Sequence, residues 1–209
     1  MANDTLTGGS VGIFTIFGVP VRLLPMSDER VTTMIHTLTE DGVPVVFDFQ
    51  QYWVQRGARD DVKEILFDGV EEAKPAPGVM HALHSADAIL LCPSNPVVSI
   101  GPILAVPGVR RVIARLKEVV AGVSPIVGGS PLRGMADRLL PAWGVEVSAA
   151  GVAEHYRDVI GGWVIDVVDE AQAERIRALD LRVAATDSIM TDDAKAEALA
   201  RVALELASA

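Results

Sequence analysis

From Gly78 onward the chain alternates short apolar runs with longer stretches whose apolar residues recur at helical spacing. Residues 88–92 and 119–123 are unbroken runs, 163–168 and 181–185 are interrupted once each, by Asp166 and Arg182, and all four are of a length that suits a strand of a covered parallel sheet. Residues 107–116, 134–140, 152–159 and 171–179 read as helices, the first with a proline near its opening turn. Alternation of this kind predicts βαβ crossovers and a mainly parallel sheet with helices on both faces, an α/β fold. A last helix is expected over residues 192–206. Thr191 would cap it, Asp192 and Asp193 suit its positive end, and Ala196, Leu199, Ala200, Ala203 and Leu206 form one stripe.

The pattern before Gly78 differs. Residues 1–18 are expected to be an irregular or remnant segment, and residues 19–209 a single α/β domain. An apolar run over residues 19–24 ends at Pro25, and residues 31–38 and 43–49 flank Asp41-Gly42. Two β-rich runs around Asp-Gly predict a hairpin with a type I′ turn, an excursion from the main sheet. Residues 74–78, with two prolines, are the one expected joint.

Composition narrows the partners. Of 209 residues, half are apolar and 22% charged, which is the balance of a folding chain and not of a disordered one. A net charge of -10, with no basic run longer than Arg110-Arg111, argues against a nucleic-acid partner. A phosphate-bearing small ligand can still find local positive charge. Cys92 is the only cysteine, so no intrachain disulfide forms and the cytoplasm is the default compartment. Residues 11–21 are apolar but lack a basic leader and fall short of the roughly 20 residues a span needs, so no membrane anchor is expected.

The polar loop after residues 88–92 is the leading site candidate, because ligands of open parallel sheets bind beyond the carboxyl ends of strands. Ser94, Asn95 and Ser99 supply hydroxyl and amide groups, and Pro93 and Pro96 stiffen the backbone that presents them. The helical turn that follows is expected to offer free N–H groups to an anion. The same residues also make an ordinary helix-entry turn, and spacing leaves both readings open.

Met26, Ser27 and Asp28 are further substrate-side candidates, although Asp28 also reads as a turn cap after Pro25. Ser124 and the Gly128-Gly129 pair follow another strand. The glycines either admit a phosphate or ring against the backbone or supply positive φ in a turn. Arg133 is a candidate phosphate partner. Asp137, Asp166 and Asp187 read as capping or solvated carboxylates, and no metal ligand is assigned. His36, His81, His84 and His155 lack zinc-site spacing, no Ser or Cys nucleophile stands with a base, and the catalytic residue is unknown. Trp53, Trp143 and Trp163 read as packing residues, with Trp53 the one to test as a platform.

Pro93-Ser94-Asn95-Pro96-Val97-Val98-Ser99-Ile100-Gly101-Pro102 and its continuation to Pro107-Gly108 resemble the signature run of the 2-phospho-L-lactate transferases, which complete the deazaflavin core of the factor-420 coenzyme. Leu24-Pro25-Met26-Ser27-Asp28, Gln51-Tyr52-Trp53-Val54, Ser124-Pro125-Ile126-Val127-Gly128-Gly129, Gly134-Met135-Ala136-Asp137 and Thr186-Asp187-Ser188-Ile189-Met190 match in the same order. The resemblance implies a Rossmann-like three-layer α/β/α fold and a cytoplasmic homodimer. It implies transfer of a phospholactyl or phosphoenolpyruvyl group from a guanylyl diphosphate donor to a 7,8-didemethyl-8-hydroxy-5-deazariboflavin acceptor, releasing GMP, with magnesium at the phosphates. Pro93, Ser94, Asn95, Pro96 and Ser99 would line the nucleotide side. The family's opening strand, Gly-rich phosphate loop and metal-holding aspartates have no counterpart here. Residues 8–12 resemble that loop only superficially, so an N-terminal truncation is expected. The alternative is a non-catalytic nucleotide-binding or dimerising remnant of the same fold.

Overall fold

The computed structural model describes residues 6–7 and 21–208. Its first sheet is antiparallel: β1 (Thr32–Leu38), β2 (Pro44–Asp48) and β3 (Asp61–Asp68) stand in the order β2-β1-β3. The excursion is thus three-stranded where the sequence pattern predicts a hairpin. In β3 the apolar signal is diluted, since Lys63, Glu64 and Leu66 face solvent and only Ile65 is buried. Opposite Ile65 in the ladder stands Ile35, also buried.

The β1–β2 connection corrects the expected type I′ turn. Gly42 N–H donates to Thr39 O at 2.8 Å and Thr39 N–H to Val43 O at 3.0 Å. Only Gly42 has positive φ, at 76°, because an Asp in that region costs about 1–2 kcal/mol. The result is a three-residue loop ending in a glycine bulge.

From Gly78 the chain runs through α1 (Val79–His84), β4 (Ile89–Leu91), a π-helical turn at Pro96–Ile100, α2 (Gly101–Ala105), α3 (Val109–Arg115) and β5 (Val120–Val123). A small hairpin of β6 (Ile126–Val127) and β7 (Ser130–Pro131) follows, then α4 (Ala136–Leu139), α5 (Ala149–Tyr156), β8 (Gly162–Asp166), α6 (Ala173–Arg177), β9 (Arg182–Thr186) and α7 (Asp193–Ala207). The second sheet has the order β4-β5-β8-β9 with every pair parallel, as the apolar runs predict.

Alternate residues of β8 separate the layers. Trp163 and Ile165 join the main core, which reaches from Ile35 and Tyr52 in the antiparallel unit through Val97 and Ile113 to Leu139, Val152 and Ile176. Val164 points the other way and, with Val123, packs under Leu199 and Ala203 of α7. Helices on one face and α7 on the other make three layers, the Rossmann-like arrangement expected. A side chain at Gly162 would meet the Leu206 Cγ at 2.7 Å, so that glycine lets α7 close on the sheet.

Helix boundaries shift for local reasons. Asp192, not Thr191, caps α7, its carboxylate accepting from Lys195 N–H at 2.9 Å. α5 begins three residues early because Ser148 accepts from Gly151 N–H at 2.9 Å. Tight 3-10 turns occupy Leu140–Trp143, starting at the last residue of the helix expected over 134–140, and Val167–Gln172, which takes in the end of the strand expected over 163–168 and the start of the helix expected over 171–179. Of the apolar run at 19–24, the described part is no strand, and Val21 and Leu23 lie exposed. The expected joint at 74–78 is tied back by Ala76 N–H to Met26 O at 3.1 Å and Lys74 N–H to the Glu29 carboxylate at 3.1 Å. Residues 8–19, with the glycine-rich stretch at 8–12, lie outside the described residues. Among the described residues no single helix is long and apolar enough to cross a membrane.

Candidate functional site

Four parallel strands bring four loops to one edge of the sheet: those that follow Leu91, Val123, Asp166 and Thr186. Such an edge is where open α/β sheets hold ligands.

In the first loop, Asn95 is a cap. Its side-chain oxygen accepts from Val97 N–H at 2.9 Å and Val98 N–H at 3.4 Å, while its carbonyl accepts from Ser99 and Ile100 N–H. Pro96 has no N–H to give. The free donors expected at this turn are therefore all engaged, which corrects the picture of an anion resting on its N-terminus. What remains open are the hydroxyls of Ser94 and Ser99, both half-buried and without a side-chain hydrogen bond among the described residues. Pro93 is half-buried beside them and Pro96 fully buried, so the loop is anchored where the hydroxyls emerge.

The second loop starts at Ser124, whose buried hydroxyl donates to Ile126 O at 2.8 Å and accepts from Ile126 N–H at 3.2 Å. That hydroxyl is spent on its own turn. Gly128 and Gly129, at φ 59° and 81°, form the two central residues of the β6–β7 connection. Positive φ at both positions is the type I′ requirement that Asp41-Gly42 does not meet. Arg133 follows, exposed and in no ion pair among the described residues.

Two buried carboxylates join these loops. Asp166, 3% exposed, accepts from Val168 N–H at 3.0 Å and from the N–H and hydroxyl of Ser188 at 2.9 and 2.8 Å. Burial alone would raise its carboxyl, but these donors together hold it below the ordinary carboxylate range. Asp169, 4% exposed, accepts from Gly128 N–H and from the Gln172 amide, both at 2.9 Å. Sequence reasoning missed Asp169 because its partner lies 41 residues away and no local spacing marks the pair.

Asp187 is exposed, paired with Lys195 at 2.8 Å, and lowered chiefly by that bond. Asp137 sits exposed in the first turn of α4. No group of three or more His, Cys, Asp or Glu side chains among the described residues could hold a metal ion.

The remaining candidates gather elsewhere. Met26 packs against the main core, Ser27 is buried and donates to the Glu29 carboxylate at 2.6 Å, and Asp28 accepts from the N–H and hydroxyl of Thr7 at 2.8 and 3.0 Å. Their described bonds run to residues 7, 29 and 74–76, not to the carboxyl-edge loops. Trp163 is buried and Trp143 half-buried, while Trp53 is 46% exposed with its ring 5.5 Å from Phe49. Hollows of about 710 and 500 Å³ lie on the antiparallel unit around Met34 and Asp68, away from the loops of the parallel sheet.

The three-layer fold and its loop-bearing carboxyl edge define a Rossmann-like α/β protein. A crystal structure of protein BH3568 from Bacillus halodurans shares the fold at TM-score 0.59 and 17% identity, covering 95% of this chain and 70% of that one. The chain belongs to the family described as 2-phospho-L-lactate transferase CofD, which matches residues 10–205. It is 52% identical over 188 residues to a protein of Streptomyces griseus subsp. griseus named phosphoenolpyruvate transferase, covering 90% of this chain and 59% of that protein. To a Methanosarcina mazei protein named 2-phospho-L-lactate transferase it is 38% identical over 201 residues, covering 96% of this chain and 64% of that protein. The chain thus spans less than two thirds of the length of these relatives.

Proposed function

We propose that this chain carries out, or forms part of a protein that carries out, transfer of a phosphoenolpyruvyl group from a guanylyl diphosphate donor to the hydroxyl of 7,8-didemethyl-8-hydroxy-5-deazariboflavin. GMP is released, and the step belongs to factor-420 biosynthesis. The observation that carries the reading is family membership over residues 10–205. Identity of 52% to a phosphoenolpyruvate transferase, against 38% to a 2-phospho-L-lactate transferase, supports the phosphoenolpyruvyl donor over the phospholactyl one.

In this reading the acceptor oxygen attacks the donor's outer phosphorus. A new P–O bond forms, the P–O bond to GMP breaks, and the acceptor hydroxyl gives up its proton. Catalysis of such a displacement is mostly positioning and charge stabilisation. Ser94 and Ser99 offer their uncommitted hydroxyls to the nucleotide, and Arg133 offers a guanidinium that suits phosphate oxygens. Pro93, Asn95 and Pro96 shape the loop, and no residue is assigned as base. Magnesium enters only as the companion expected of a diphosphate. The described carboxylates do not gather to hold it, and no step is routed through it. The working unit is a homodimer in the cytoplasm, with no nucleic-acid or membrane partner.

Calorimetric titration of the chain with GDP and magnesium, then with the deazaflavin acceptor, tests this. Ser94→Ala with Ser99→Ala is the variant to compare, since Asn95→Ala would also remove a cap. Binding by the wild type that weakens in the variant supports the reading. Binding without turnover would favour the nucleotide-binding or dimerising module instead, and a folded wild type that binds no GDP would overturn the transferase reading for this chain.

A further inference from the structure

We propose that Asp169 is a positioning residue for the ligand edge: its buried carboxylate holds the β6–β7 hairpin, and Arg133 just beyond it, where they meet the donor's diphosphate. The inference rests on the transferase reading for the identity of the ligand and on the structure for the rest.

A carboxylate 4% exposed and in no ion pair among the described residues is costly to bury unless hydrogen bonds offset the water it loses. Packing alone would be better served by an apolar side chain. What Asp169 gains are two specific bonds. One oxygen accepts from Gly128 N–H and the other from the Gln172 amide, whose own oxygen accepts from Ala150 N–H at 2.9 Å. Hairpin, the loop after β8, and the first turn of α5 are thereby tied into one unit.

The hairpin depends on that tie. Its base is fixed by the buried Ile126 and the Ser124 turn, but Gly128, Gly129 and Ser130 at the tip are exposed. The only side-chain bond to the tip among the described residues is the one from Asp169. Pro131 pairs with Ile126, so the second strand returns the chain to the carboxyl end of β5, and Arg133 departs from there. Setting the hairpin therefore sets where the one unpaired cation of this loop leaves the sheet edge.

The test uses the full chain, GDP with magnesium as the probe, and amide hydrogen exchange. Asp169→Ala is expected to speed exchange at Gly128 and to weaken GDP binding about tenfold or more, the scale of one lost charge-assisted phosphate contact. Asp169→Asn keeps an acceptor for Gly128 and is expected to recover most of the affinity, and it also serves if the Ala variant does not fold. Ile176→Val, a core change outside the hairpin and its hydrogen bonds, is expected to lower stability without changing affinity. Arg133→Ala is expected to weaken binding too, and the double variant Asp169→Ala, Arg133→Ala to be no worse than either alone. Unchanged exchange at Gly128, unchanged GDP affinity in Asp169→Ala, or additive losses in the double variant would overturn the proposal. A wild type that binds no GDP overturns the underlying reading instead, a result distinguishable because no variant is needed to see it.

Discussion

Asp166 closes β8 and holds Ser188, two residues past the end of β9, through both the main-chain N–H at 2.9 Å and the hydroxyl at 2.8 Å. Its other oxygen takes Val168 N–H at 3.0 Å. One side chain thus serves as an N-terminal cap for the loop after its own strand and as the anchor for the loop after the neighbouring strand.

Removing that side chain leaves buried donors without an acceptor. Asp166→Ala is expected to cost about 3–5 kcal/mol, since each orphaned donor costs about 1–3 kcal/mol. The carboxyl is held below its ordinary range, so its contribution is present above the unfolded value near 3.9 and is lost as pH falls through the lower folded value. Urea midpoints at pH 7 and pH 3 check both points. Asp166→Asn should be less stable than wild type at pH 7, with the gap narrowing at pH 3. A gap independent of pH would remove the linkage argument.

Asn95 is a cap whatever ligand the loop holds. Asn95→Ala is expected to lose about 1 kcal/mol and Asn95→Asp almost nothing, because the carboxylate can accept from Val97 and Val98 as the amide does. Thermal unfolding of the two variants, side by side, decides it. Equal losses would mean the side-chain bonds contribute little.

The parallel sheet was legible because its central strands, β5 and β8, are buried on both faces and all four strands read as apolar runs broken at most once. Residues 88–92 and 181–185 fall within a residue or two of Ile89–Leu91 and Arg182–Thr186. β3 was not legible, since five of its eight residues are exposed and its strand character comes from pairing with β1. At the site, the loop after β4 was visible as polar residues behind a strand. Its cap was one of two readings that the spacing left open, and the bonds of Asn95 show the cap formed by the atoms an anion would otherwise have met. Asp169 shows the other limit: its role comes from a bond to Gly128 that the fold creates and no spacing encodes.

Two glycines make opposite predictions. A Cβ on Gly122 would stand 2.8 Å from Trp163 Cε3, and that indole is buried and pinned by its N–H to Ala149 O at 3.1 Å. Gly122→Ala should cost about 1–3 kcal/mol or more by overpacking. A Cβ on Gly129 would meet nothing within 4 Å, but φ is 81°, so Gly129→Ala should cost only about 1 kcal/mol of backbone strain. Chemical denaturation of both should rank Gly122→Ala as the more damaging. The reverse order would mean that the sheet yields around Trp163 more readily than the hairpin tolerates strain.

His155 supplies the pH dependence near neutrality. Its ring lies between Trp143 and Tyr156, with centroids 5.5 and 5.0 Å away. Burial first, and the nearby Arg110 second, push its pKa below the ordinary value, with Asp158 opposing weakly. The folded chain therefore binds fewer protons than the unfolded chain below about pH 6.5, so stability falls as pH drops through that value and the unfolded histidine gains charge. His155→Phe keeps an aromatic ring between Trp143 and Tyr156 and has nothing to protonate. Urea midpoints measured from pH 7.5 to pH 5 should decline more steeply for the wild type than for His155→Phe. Parallel declines would place the acid sensitivity on other groups and leave His155 a packing residue only.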